Sequence, residues 1–268
     1  MISRLLRRSH QRDLEAAQAS LGGGPGRHEP VTEADLEHLP GAVRRYLGAM
    51  GVLGRPRVRS FAVRFHGRFR LRPDGPWMPA DAMQLNTVDP VARVFTMVLR
   101  FARVVPMVGH DTYLDGRGRM VGRLAGIVKV ADGAGDEFDI GELSTWLNDA
   151  VLLAPSILLE APVEWTDLDD DTIGVALTDH GRTVRATFRL DRTGRPEDYR
   201  TTDRWADLPG GPVQAEWRTP VPGWAASPGA TPMPLPGGAT WMLEDGPFTY
   251  VRGGFVPGSL RTDPALPG

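Results

Sequence analysis

Cysteine is absent from the 268-residue chain, which excludes disulfide staples, thiolate nucleophiles and cysteine-ligated metals. Lysine is nearly absent: Lys129 stands alone, and arginine supplies the rest of the positive charge. The formal net charge is −2, without the strong positive balance of a nucleic-acid binder, so no nucleic-acid partner is expected. No run approaches the roughly 18 apolar residues of a membrane span. The N-terminus, Met1-Ile-Ser-Arg-Leu-Leu-Arg-Arg-Ser-His-Gln-Arg12, is basic but lacks the apolar stretch of a secretory signal. The expectation is a cytoplasmic protein. Arg4, Arg7, Arg8 and Arg12 beside Leu5, Leu6 and Leu14 could lay a helix on an anionic membrane surface, so peripheral membrane contact is kept beside the plainer reading of a solvated arm.

Signatures of chemistry are missing as well. His10, His28, His38, His66, His110 and His180 show no metal-ligand spacing. No Gly-x-Ser-x-Gly turn offers a serine nucleophile. Gly22 to Gly26 lead to neither Lys-Ser nor Lys-Thr, and Gly116-Arg-Gly118 reads as turn glycine, so phosphate loops are absent. No metal and no cofactor is therefore expected. His110-Asp111 looks like a ligand pair in isolation, but it precedes Tyr113-Leu-Asp115-Gly and reads as a strand start before a turn.

What is present is ordinary globular material, 41% apolar and 24% charged, enough for a substantial core. Residues 1–30 read as a helical arm, Met1 to Ser20, and a flexible linker, Gly22-Gly-Gly-Pro-Gly26; residues 31–262 form a single β-rich domain, and 263–268 a tail that frays. Thr32 and Asp35 have capping-box-like spacing, Pro40 suits a first helical position before Val43, Tyr46, Leu47 and Met50, and Gly51 stops that helix.

From Pro56 the period changes to two. In Phe61-Ala-Val-Arg-Phe-His-Gly-Arg-Phe-Arg-Leu71 the odd positions are apolar or glycine and most even ones basic. The pattern recurs at Met120, Leu124, Val128 and Val130 against Arg119, Arg123 and Lys129, and at Val184, Ala186, Phe188 and Leu190 against Arg185 and Arg189. Such strands bury one face and wet the other, as antiparallel sheets allow. Asp74-Gly75, Asp115-Gly116, Asp132-Gly133, His180-Gly181 and Asp245-Gly246 lie between apolar runs as hairpin turns. A meander of hairpins follows. The outward arginines, Arg64, Arg68, Arg70, Arg119, Arg123, Arg185 and Arg189, form a solvated face or a basic surface for lipid headgroups or an acidic partner.

One apolar helix interrupts the strands. Asp139 and Glu142 have N-terminal capping spacing; Ile140, Leu143, Leu147, Ala150, Val151 and Ala154 follow at helical intervals, and Pro155 ends the run. Trp146, Leu152 and Leu153 widen its apolar surface beyond one stripe, so it must be covered on several sides. The fold class is therefore mainly β (α+β): a single curved antiparallel sheet or half-barrel with this helix on its concave face, plus N-terminal helices. The stretch Leu208 to Gly238 holds Trp217, Trp224, Met233 and Leu235 and reads as a packed loop with a short strand near Val213 to Trp217.

Leu39-Pro-Gly-Ala-Val-Arg-Arg-Tyr-Leu47, the helix from Gly141-Glu-Leu to Ala154-Pro155, and Gly238-Ala-Thr-Trp-Met-Leu-Glu-Asp-Gly-Pro-Phe-Thr-Tyr-Val-Arg-Gly253 together resemble an uncharacterised bacterial family, a domain of unknown function. The resemblance runs from about Thr32 onward. It implies an architecture similar to the LolA and LppX lipoprotein carriers, which shelter acyl chains in a half-barrel, and it brings no catalytic residues. The chain departs from those carriers in lacking a secretory signal and a lipidated cysteine.

Three functions follow as expectations. The first is a non-enzymatic binder of an apolar or amphipathic, lipid-like molecule held between sheet and helix, lined by Phe95, Met97, Leu99, Trp146, Trp205, Trp241 and Tyr250 with Asp203 and Arg204 nearby. In Tyr199-Arg-Thr-Thr-Asp-Arg-Trp205, alternation places Asp203 among aromatics on the inner face; a structural Asp–Arg pair is the commoner role for such a carboxylate. The second is an enzyme whose acid or base is Asp203, Glu142 or Asp111. The third is a peripheral module docking through its basic arm or arginine face.

Overall fold

The period-two pattern turns into two antiparallel meanders that share one seam. The computed structural model describes residues 29–101, 105–125, 127–208, 210–225 and 230–264. In the first meander β1 (Ser60–Phe69), β2 (Met78–Val88), β3 (Val91–Phe101), β4 (Val105–Leu114), β5 (Arg117–Leu124) and β6 (Val128–Ala134) pair in sequence. The second begins with β7 (Val163–Asp167), β8 (Thr172–Asp179), β9 (Arg182–Leu190) and β10 (Pro196–Thr201). A detached hairpin, β11 (Trp205–Leu208) with β12 (Gly211–Gln214), then precedes β13 (Glu216–Arg218). A two-residue pair, β14 (Trp224–Ala225) with β15 (Met233–Pro234), precedes β16 (Gly237–Leu243) and β17 (Gly246–Phe255). Pairing of β17 with β1 joins the halves into one curved half-barrel sheet, and β18 (Arg261–Thr262) adds to β1.

At the seam Gly67 faces Gly253. A Cβ on Gly67 would lie 2.2 Å from the Arg252 carbonyl oxygen and 2.8 Å from Phe65 Cζ. The two backbones approach closely, and the Phe65 ring covers the gap left by the missing side chains.

Among the described residues two helices serve the concave side. In α1 (Gly41–Ala49) Pro40 is the N-cap residue, one position earlier than its sequence suggests, and Gly51 at φ 71° follows the helix end. The Thr32 backbone N–H and hydroxyl both donate to Asp35 at 2.8 Å. The second helix, α2 (Asp136–Leu153), leaves edge strand β6 and crosses the hollow towards the opposite edge at β7. Residues 141–153 are all buried. Its place explains burial on all sides: the sheet and the following 3-10 turn pack on it, and Tyr46 of α1 donates to its Val151 carbonyl at 2.8 Å. No helix among the described residues is long and apolar enough to cross a membrane.

Several expectations need correction. Asp139 and Glu142 are not a capping pair: the helix starts three residues earlier, after Gly135. Asp139 instead accepts the Gly118 N–H at 2.6 Å and pairs with Arg182 at 2.7 Å. Asp132-Gly133 lies inside β6. β5 ends at Leu124 and β6 begins at Val128, with Ala125 at φ 50° after the first, so the run from Met120 to Val130 is two strands rather than one. Edge position leaves Val128 and Val130 exposed. Asp115-Gly116 and His180-Gly181 do form hairpin turns with both residues at positive φ. The outer face is not wet throughout, since Leu85, Ala92 and Val94 make a second buried cluster with Ala62 and Leu114 against it. Asp263, at the start of the expected tail, is bonded to the sheet, its carboxylate accepting the N–H groups of Arg59 and Ser60 at 2.9 Å. The N-terminal arm, its arginines, the glycine linker and residues 265–268 lie outside the described residues.

Candidate functional site

Inward positions along the strands form a band of polar residues where an apolar face would be the default. On β3 the inward residues are Val91, Arg93, Phe95, Met97 and Leu99; their cross-strand partners place Asn86 beside Arg93, and Gln84 and Asp111 on either side of Phe95. Arg93 reaches α2, donating from Nη1 to Glu142 at 2.7 Å and from Nε to Asp149 at 3.1 Å. Glu142 and Asp149 are seven residues apart, two turns on one helix face. Burial by itself would lower the Arg93 pKa, but the carboxylates of Glu142, Asp149 and Asp111 hold it above its usual value. A buried guanidinium with two carboxylate partners is a positioning device, locking helix to sheet.

Asp111 is the different member. It points inward from the middle of β4 with no carboxylate-to-arginine bond of the kind Glu142 makes. Burial first, and then the like charge of Glu142, push its carboxyl up to about 7 against the pull of Arg93 and Arg204. His110, its neighbour, points to the other face and bonds Thr96 at 3.0 Å. The dipeptide is a strand interior, not a strand start.

Arg204 enters from the far wall of the half-barrel. Its guanidinium carbon lies 4.2 Å from the Trp217 ring centroid and 5.4 Å from that of Trp241. Trp217 is held by its Nε1–H donating to the Tyr250 hydroxyl at 3.1 Å, and the Trp241 and Tyr250 rings stack at 6.2 Å. The Arg204 Nε and Nη1, though buried, have no hydrogen-bond partner, and the same holds for Gln84 Nε2 and both amide atoms of Asn86.

Away from this band the inner face turns apolar and only partly covered. Met97, Met107 and Phe69 pack on buried Met78, Ala80 and Leu99. A Cβ placed on Gly109, between Met97 and Gly122 on the inner face, would meet nothing within 4 Å. The helix packs in one cluster with Phe61 and Val63, and the inner face beyond Phe95 has open space at Gly109. A shallow cleft of about 280 Å³ at the rim, beside Arg59, Asp89, Glu160 and Asp179, shares no residue with that region. Its charges are engaged by neighbours, Arg59 with Asp89 at 2.7 Å and Glu160 with Arg57 at 2.8 Å.

The expected lining is brought together in part. Phe95, Met97 and Leu99 share one inner face, and Trp241, Tyr250 and Arg204 stand on the facing wall. Trp146 is fully buried in α2, with Nε1 donating to the Thr87 carbonyl at 2.8 Å, and belongs to the core. Trp205 lies on the detached hairpin, where its neighbour Ala206 is the residue that enters the core. β10 ends at Thr201, so strand alternation does not extend to Asp203; its carboxylate accepts the Arg185 backbone N–H at 2.6 Å. Of the three carboxylates considered for acid–base chemistry, Asp111 and Glu142 meet around Arg93. Arg93, Gln84 and Asn86 were missed, although each is a polar residue at an inward position of an alternating strand.

A family model described as a family of unknown function (DUF6544) matches residues 29–253. No curated protein matches the chain. Among solved structures the chain is similar to a putative outer membrane lipoprotein-sorting protein domain from Vibrio parahaemolyticus, with 10% identity, coverage of 96% of this chain and 95% of that one, and a TM-score of 0.39. It is also similar to a DUF1329 family protein from Desulfovibrio piger, with 12% identity, coverage of 89% and 95%, and a TM-score of 0.33.

Proposed function

The chain belongs to the family of unknown function DUF6544, and from that premise we propose that it is a binding protein for a lipid-like, amphipathic small molecule held in the groove between the curved sheet and α2. The observation that carries this reading is the change of character along β3. From Arg93 through Phe95 to Met97 and Leu99 the inner face passes from charged to wholly apolar over about 20 Å, at roughly 3.3 Å per residue. Open space at Gly109 puts the transition where a ligand has room. Sites for such molecules are apolar concavities with a few placed polar groups, and the partners of Arg93 leave Arg204, Asp111 and Gln84 for that role.

Native mass spectrometry of the purified protein, followed by displacement of a fluorescent fatty acid from delipidated protein, tests the reading. Copurifying lipid, or saturable displacement at micromolar concentration, is the expected result. Protein that carries no lipid and takes up no fluorescent fatty acid would rule the reading out.

A further inference from the structure

We propose that the ligand carries an oxyanion at its polar end and that Arg204 receives it; this rests on the groove being a lipid-like binding site. Arg93 and Arg204 both enter the hollow, and they differ in what they have left to give. Arg93 already meets two carboxylates, donating from Nη1 to Glu142 and from Nε to Asp149. Arg204 is desolvated over Trp217, and its buried Nε and Nη1 donate to nothing. A guanidinium offers donors only, and leaving those donors buried and unpaired is costly. An acceptor is what the site lacks, and a charged acceptor makes the stronger, charge-assisted bond. The indole face beneath Arg204 fixes the plane of the guanidinium, and Trp217 is itself fixed by Tyr250.

The surroundings fit an anion better than a neutral head. Asp111 faces Arg204 across the groove without bonding its Nε or Nη1. With its carboxyl held up to about 7 by burial and by Glu142, and drawn down by Arg93 and Arg204, it presents an O–H donor at neutral pH and below. Gln84 adds a further unpartnered N–H on the same inner face. The shared chemistry is an oxyanion on an alkyl chain, supplied either by a free fatty carboxylate or by a phosphate ester headgroup.

Calorimetric titration of delipidated protein at pH 6.5 with decanoate, decyl phosphate and decanol separates these possibilities. The wild-type protein should bind one or both anions about 10- to 100-fold more tightly than decanol, and whichever anion is preferred identifies the source. Arg204→Met should erase that preference while keeping the decanol affinity, and Arg204→Lys should retain part of it. Equal affinity of the wild type for all three, or an undiminished anion preference in Arg204→Met, overturns the inference while the groove remains a binding site. The wild-type comparison stands even where a variant fails to fold. Failure of all three to bind overturns the groove itself.

Discussion

Arg93 Nη1 on β3 donates to the Glu142 carboxylate of α2 at 2.7 Å, so a helix that Asp139 and Trp146 also bond to the sheet is tied to it by a buried charge pair at mid-length. Apolar contact is non-directional and would tolerate sliding or rotation of α2 in the hollow. A guanidinium that must meet both Glu142 and Asp149 allows one rotation and one axial position.

Removing that arginine should therefore be far worse than removing an average side chain. Arg93→Met strands two buried carboxylates, and the expected loss is about 3–5 kcal/mol in urea unfolding at pH 7.5. Adding Glu142→Leu and Asp149→Leu should recover most of it, because an apolar replacement of the whole cluster needs no partners. A loss below roughly 1 kcal/mol for Arg93→Met would show that the pair does not hold the helix.

Asp111 should make stability fall with rising pH. Its folded pKa of about 7 lies above the usual value of 3.8, so the folded state holds the extra proton between these values, and stability present below the lower one is lost as pH rises through the upper one. Asp111→Asn is isosteric and cannot ionise. It should match the wild type near pH 4 and exceed it by roughly 1–3 kcal/mol at pH 8, less than the full shift implies because water reaches the carboxyl. Chemical denaturation at the two pH values is the check; a constant difference would remove Asp111 as the titrating group.

The seam between the meanders depends on close backbones. Gly67→Ala places a Cβ 2.2 Å from the Arg252 carbonyl and should cost about 2–4 kcal/mol, since neither backbone can move without breaking the β1–β17 ladder. Thermal unfolding measures it. A near-neutral result would mean that the seam can open without loss.

Gly109 should behave in the opposite way. Its Cβ position is open, so Gly109→Ala should change stability by no more than about 0.5 kcal/mol, while Gly109→Leu should fill the groove and weaken fatty-acid binding at least tenfold, roughly the effect of a misplaced side chain in a pocket. Circular dichroism and dye displacement separate folding from binding. Unchanged binding in a folded Gly109→Leu protein would place the ligand elsewhere.

Asp203 should be a turn residue only. Asp203→Asn leaves an acceptor for the Arg185 N–H and should cost less than about 1 kcal/mol, with ligand affinity unchanged. A tenfold loss of affinity in the calorimetric titration would reinstate it.

Much of the frame was legible because one-sided strands repeat every two residues. Val184, Ala186, Phe188 and Leu190 are all buried in β9, and Asp115-Gly116 and His180-Gly181 turn where the dipeptides say. Reading broke down where local pattern and pairing part company. The stretch from Met120 to Val130 alternates across a hairpin, so its period continues through a turn that no glycine-rich dipeptide announces. Alternation also ends at Thr201, the last residue of β10, two positions short of Asp203, whose place a strand period cannot give.

The candidate site was half visible for a related reason. An arginine at an inward position of Val91-Ala-Arg-Val-Phe-Thr-Met-Val-Leu99 announces a buried charge, but its partners lie 49 and 56 residues away. The sequence alone determined that there would be a one-sided antiparallel sheet and a helix too apolar to lie on its surface, since strand period, turn chemistry and helix amphipathicity are local properties. Tertiary structure alone decided that β17 closes on β1, that Arg93 is spent on the helix while Arg204 is not, and that Asp111 faces Arg204 across the groove. What separates the two arginines is that Arg93 meets two helix carboxylates while Nε and Nη1 of Arg204 stay buried without a partner; such outcomes depend on which distant surfaces meet, and the energy of a charge depends on its burial and its neighbours rather than on its place in the chain.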